Sequence, residues 1–148
     1  MVALGNVYAA RGYVAASISY RLVGDDPPTE ALANDPSSAQ SVAAAAARVD
    51  AARAVEWMRD NAASYRIDPD RIAMGGYSAG AITSMGTAYR DAGVDGADVQ
   101  AVLSLSGGLY GLESMIEADE APLIMIHGTA DPTVSFSLAE AIEAQALS

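Results

Sequence analysis

Apolar residues recur along this chain with two different periods. Val42, Ala45, Val49, Ala52, Val55 and Met58 follow one another at three- and four-residue steps. That spacing predicts an amphipathic helix with one inward stripe, and Arg48, Arg53, Glu56 and Arg59 fall largely off it. Asp35-Pro36 offers a cap followed by proline at the first helical position, so this helix is expected from there to about Ala63. Shorter apolar runs read as strands: Tyr13–Tyr20, Arg71–Gly75, Ala101–Ser106 and Leu123–Ile126. Tyr13–Tyr20 is apolar on both faces, as a buried parallel strand requires. Further helices are expected over Val2–Ala10, ended by Gly12, over Ala79–Arg90, and from near Ser135 toward the C-terminus. Gly24–Ser37, with Pro27, Pro28 and Pro36, is a loop, and Asp91–Asp98 is a turn-rich connection.

Strands that alternate with helices predict an α/β fold, a mostly parallel sheet with helices on both faces. The 148 residues form one domain with no internal repeat. A chain of that length can bury a core without a disulfide or metal staple.

Composition narrows the chemistry. There is no cysteine, which removes disulfides, thiol catalysis and Cys-ligated metals. The single histidine, His127, removes a multi-histidine metal site, and neither metal nor cofactor is expected. The net charge is −11 and all eight basic residues are arginine. Such a surface repels phosphate backbones and anionic lipid, so no nucleic-acid or membrane partner is expected. No apolar run reaches transmembrane length. The first residues lack the basic segment of a signal peptide, and the compartment stays open.

Gly76-Tyr77-Ser78-Ala79-Gly80 fits G-x-S-x-G between a predicted strand and a predicted helix, the setting of a nucleophile elbow. The turn would hold Ser78 in a strained conformation, with Gly76 and Gly80 both required because a Cβ would clash. Ser78 would then sit at a helix N-terminus, where the Ala79 N–H can donate to an oxyanion. Downstream, Asp131 lies in His127-Gly128-Thr129-Ala130-Asp131-Pro132-Thr133-Val134 after the last strand, so an acid follows the serine in chain order. An inert glycine-rich turn and a plain Asp-Pro turn are the structural alternatives for these two segments.

These segments resemble the α/β-hydrolase superfamily, in particular its esterase/lipase-type carboxylesterases. Arg11-Gly12-Tyr13-Val14, Tyr20-Arg21-Leu22, Ala54-Val55-Glu56-Trp57-Met58-Arg59 and Ile67-Asp68-Pro69-Asp70-Arg71-Ile72 match in the family's order, together with the two motifs above. The resemblance implies a serine hydrolase acting on small-molecule carboxylic esters through an acyl-enzyme. Ser78 would be its nucleophile, a histidine its base and Asp131 the group that orients that histidine. A peptidase, thioesterase or lactonase shares the same elbow. The four predicted strands would be the family's fourth to seventh, and Trp57 a core anchor of the covering helix.

By the same resemblance the family's third strand with its His-Gly-Gly loop would precede Met1, and its eighth strand and base histidine would follow Ser148. The chain is therefore expected to be an incomplete, central portion of the fold. It is either an esterase, alone or within a longer parent, or a fragment with a structural or oligomeric role. Removing the third strand would leave a gap of ~9–10 Å between the fourth and fifth. Either Tyr13–Tyr20 shifts to pair with Arg71–Gly75, or another chain fills the gap, so a homo-oligomer or strand exchange is expected. His127 is the fallback base. In the resembling family its position orders the acid's loop, and its strand end lies ~10 Å from that of Ser78.

Overall fold

A computed structural model describes residues 2–28, 33–89 and 98–148. Three strands, β1 (Ala73–Tyr77), β2 (Ala101–Leu105) and β3 (Leu123–Ile126), form one parallel sheet in that order. The helices are α1 (Val2–Ala9), α2 (Ala39–Asp60), α3 (Ala62–Tyr65), α4 (Ala79–Ala88) and α5 (Phe136–Ala146). The class is the expected one, a partial α/β fold built on a parallel sheet. Most of the expected Asp91–Asp98 connection, and Arg90, lie outside the described residues.

β1 begins two residues later than the pattern predicts. Arg71 N–H still closes a turn on Asp68 O (3.1 Å), and Ile72 N–H donates to the Gln100 side chain (2.9 Å) rather than to a strand. Backbone pairing starts at Ala73↔Ala101 and carries the strand on to Tyr77↔Leu105.

The long helix starts at Ala39, not at Pro36. Asp35 is used in a turn, its Oδ1 accepting from the Ser37 N–H and hydroxyl, and Ser38 is the cap, its hydroxyl accepting from Ser41 N–H (3.3 Å). It ends at Asp60, where the Asn61 side-chain amide donates to Trp57 O (2.8 Å) and competes with the next turn. Val42, Ala45, Ala52 and Val55 are buried as the stripe predicts. Arg48 is buried too, against expectation. α2 crosses α4 at a glycine, Gly86, and a Cβ added there would lie 2.8 Å from Arg48 Cδ, so the arginine stem fills the space between the helices. Trp57 is 50% exposed, stacked at a tilt on Tyr65, and is not a core anchor.

The core joins Ala52 and Val55 of α2, Met85 of α4, Val102 of β2, Leu109 in the segment after β2, and Ile142 of α5. Register puts Met74, Val102 and Leu123 in one row of the sheet face that meets it. On the opposite face Tyr77, Ile124 and Ile126 are exposed. The second helix layer expected there is not seen among the described residues. Ile142 is fully buried and ties α5 to the core. Ile142→Ala is expected to cost about 2–5 kcal/mol by urea unfolding, and a loss below 1 kcal/mol would mean that α5 is not docked as described.

The expected first strand does not form. Residues 13–20 carry no regular secondary structure and join no ladder, and all but Tyr20 are exposed. The shift onto β1 does not occur, and no strand pairs with the outer edge of β1 among the described residues. The segment is held instead at its end. The Arg21 N–H (2.9 Å), Nε (2.9 Å) and Nη2 (2.9 Å) all donate to the Asp50 carboxylate on α2. Burial pushes the Asp50 carboxyl up, but the hydrogen bonds and charge of Arg21 outweigh it and hold the pKa below the ordinary 3.8. A depressed acid stabilises the fold above its unfolded pKa and loses that contribution as pH falls through its folded one. Arg21→Met is therefore expected to cost about 1 kcal/mol at pH 7, discounted for partial exposure, and nothing once Asp50 is protonated. Urea unfolding of both proteins across the acid range checks this, and a cost independent of pH would contradict it.

Candidate active site

Ser78 stands between the last residue of β1 and the first of α4. Its backbone is at φ 52°, ψ −119°, a left-handed region that side chains rarely adopt. The conformation is fixed from three sides. Ser78 N–H donates to Leu105 O (2.9 Å), extending the β1–β2 ladder by one residue. Ser78 O accepts from Ala81 N–H (2.9 Å) and Ile82 N–H (3.0 Å), which starts the helix. Gly76 lets the two arms of the turn meet, since a Cβ on it would fall 2.3 Å from Gly80 C and 2.6 Å from Gly80 O. Gly80 is different from the expectation. A Cβ there would meet only the Tyr20 hydroxyl, at 3.9 Å, so the crowding lies on Gly80's backbone and not on its missing side chain.

As the first residue of α4, Ala79 has an N–H with no acceptor inside the helix. It lies beside the Ser78 side chain at the positive end of the helix dipole, where developing negative charge is favoured.

Asp131 sits in the loop after β3. Its Oδ1 accepts from Thr133 N–H (2.9 Å) and Val134 N–H (3.0 Å). Those two backbone hydrogen bonds, Val134 first, outweigh the effect of burial and hold its carboxyl below the usual carboxylate range. Asp131 is thus a preformed carboxylate at neutral pH.

His127 follows β3 directly. Its Nε2 donates to Val134 O (2.8 Å) and lies 3.8 Å from Asp131 Oδ2. A carbonyl can only accept, so Nε2 carries the proton. The ring side chain is only 4% exposed and packs edge-to-face on Phe136 at 5.9 Å. The structure thus brings His127 to Asp131, and no hydrogen bond joins it to Ser78 among the described residues. Since Tyr77, Leu105 and Ile126 share a register row, Ser78 and His127 end strands separated by all of β2.

One residue of this region escaped the sequence reasoning. Ser106 directly follows β2, at φ 51°, a positive φ like that of Ser78. Its only signal in the sequence is its place before Gly107-Gly108, which reads as a strand terminator. Among the described residues no group of three or more acidic or imidazole side chains is arranged to hold a metal ion, and no helix is long and apolar enough to cross a membrane.

Comparison with known proteins gives this geometry a context. The model of the family described as BD-FAE matches residues 1–101. Among solved structures, esterase 2 of Thermogutta terrifontis phosphoramylated by tabun superposes with a TM-score of 0.71 at 24% identity, over 97% of this chain and 60% of that one. The propionate-bound form of Est2 from that species gives 0.56 at 26% identity, over 69% and 50% of the two chains. The carboxylesterase Cest-2923 of Lactobacillus plantarum WCFS1 gives 0.57 at 14% identity, over 69% and 48%. The chain thus spans about 60% of the length of the first of these structures. No curated protein matches.

Proposed function

The chain belongs to the BD-FAE family, within the α/β-hydrolase superfamily, and from that premise we propose that it is a serine hydrolase acting on carboxylic esters. The observation that carries the reading is the left-handed Ser78 at a strand-to-helix turn inside Gly76-Tyr77-Ser78-Ala79-Gly80. Strain at a non-glycine residue persists only where its surroundings enforce it, and here they hold one hydroxyl at a helix N-terminus.

In the proposed reaction Ser78 Oγ attacks the ester carbonyl carbon. The carbonyl oxygen takes up the negative charge, and Ala79 N–H donates to it. The alcohol leaves with a proton and an acyl-serine remains, which water then cleaves to the free acid, restoring the hydroxyl. Asp131 is the acid of the set. Its free oxygen, Oδ2, is the one turned toward an imidazole. His127 belongs to the acid's loop and serves to order it, because its Nε2 proton is already given to Val134 O. To act as base, it would have to leave that carbonyl and reach across the end of β2.

The same position of His127 favours a second reading, a chain that keeps the fold but turns nothing over. A short activated ester separates the two. p-Nitrophenyl acetate should be hydrolysed slowly, because an oxyanion donor and binding retain some rate enhancement without a base. A rate equal to that of buffer, with the fold intact, would favour the second reading. A related thioesterase or peptidase would instead prefer thioester or amide probes.

The open edges of β1 and β3 and the exposed Ile124 and Ile126 support a homo-oligomer or strand exchange. Sedimentation at micromolar concentration is expected to give a species larger than 15.1 kDa. A monodisperse monomer would remove this part of the proposal.

A further inference from the structure

Parallel sheets are found with both faces covered, because strands of this kind are apolar on both sides. Here one face meets the core and the other is open. Register defines the open one. Gly75, Leu103 and Ile124 form one row, and Tyr77, Leu105 and Ile126 form the next, at the end that carries Ser78. Tyr77 is 63% exposed, Ile124 64% and Ile126 63%. Leu103 and Leu105 of the central strand are half-buried between them. A Cβ on Gly75 would fall 2.9 Å from Leu103 Cβ, so Leu103 leans over β1 and fills the gap that the glycine leaves. The two rows thus make one continuous apolar surface.

Charge and area both bear on what covers it. No residue of β1, β2 or β3 is charged, although the chain carries a net charge of −11. A second copy that approaches through the acidic surface brings carboxylate toward carboxylate. On the strands of the open face it meets none. A basic or strongly polar partner would find no countercharge on those strands, and its own groups would be buried unpaired. The chain exposes 8776 Å², against about 7,100 Å² for a compact monomer of 15.1 kDa. The surplus, roughly 1,700 Å², exceeds the ~800 Å² that each partner gives to a standard interface. Every copy presents the same patch, and a two-fold axis lets such a patch close on itself.

We propose that the open face is the docking surface for a second copy of this chain, stacked sheet on sheet about 10 Å apart, with Tyr77, the residue before Ser78, inside the contact. This rests on the reading of a self-associating chain and narrows it to the face of the sheet. Pairing or exchange of strands along the edges of β1 and β3 would leave the side chains of the face in water.

The test is nitration of the full chain by tetranitromethane, mapped by peptide mass, beside sedimentation of the same samples. The chain has no cysteine to consume the reagent. Nitration of Tyr77 is expected in the dilute monomer and is lost at concentrations that give the larger species. Tyr65, 52% exposed on α3, is the control and reacts alike in both. Ile124→Glu and Ile126→Glu change exposed positions, and circular dichroism should show both folded. Each is expected to weaken association at least ~100-fold, because it would bury an unpaired charge in the contact, and to restore nitration of Tyr77. A larger species in which Tyr77 reacts as fast as in the monomer, or one that survives both glutamates, would overturn the proposal and leave an oligomer joined along the strand edges. A monomer at every concentration would overturn the proposal and the oligomer reading together. Reaction of Ser78 with an organophosphorus probe bears on the hydrolase reading alone and leaves this result as it stands.

Discussion

Gly76→Ala is expected to destabilise the protein by about 3 kcal/mol or more, the upper end of what overpacking does in a closed site. The added methyl would sit 2.3 Å from Gly80 C, 2.6 Å from Gly80 O and 2.8 Å from Ala81 N. All three are backbone atoms, so no rotamer change can make room. The turn would have to open, and with it the Ser78 hydrogen bonds to Leu105, Ala81 and Ile82. Gly80→Ala is the control. Its methyl would find open space beside the Tyr20 hydroxyl, and in the first turn of a helix alanine is favoured over glycine by up to about 1 kcal/mol. Urea unfolding should therefore rank Gly80→Ala at or above the wild type and Gly76→Ala far below both. Equal losses for the two would mean that the turn is not closed as described.

The second large effect concerns the serine and the histidine. Ser78→Ala is expected to lower the residual hydrolysis of p-nitrophenyl acetate at least ~100-fold, to the rate of buffer, because nothing else supplies the attacking oxygen. His127→Ala is expected to lower it by less than about tenfold, through looser ordering of the acid's loop rather than loss of a base. Circular dichroism confirms that each variant is folded. Comparable losses of several hundredfold would show that His127 leaves Val134 O and takes up the role of base.

Much of this arrangement is legible in the sequence, and the limits are physical. The strand at Leu123–Ile126, the serine turn and the last helix follow from local signals: a run of large apolar residues, two glycines around a serine, a capping Ser135. Residues 13–20 carry an equally strong strand signal and yet form none, because a strand needs a partner edge and pattern alone does not say whether one is there. Arg48 could not be read as buried, since the space for its stem comes from Gly86, 38 positions later on another helix. Ser106 was missed for a related reason. Its left-handed backbone appears only where the strand ends, next to the turn of Ser78 one strand away, and a serine before two glycines looks like an ordinary strand end. The unequal roles of Gly76 and Gly80 depend on which of the two faces the other's backbone.

The most direct measurement is prolonged incubation of the wild-type chain with a fluorophosphonate, followed by intact mass and peptide mapping. The hydrolase reading predicts one adduct per chain, formed slowly and located on Ser78, and none on Ser78→Ala. An absence of any adduct on folded protein, or an adduct on Ser106 or another hydroxyl with Ser78 unmodified, would contradict it.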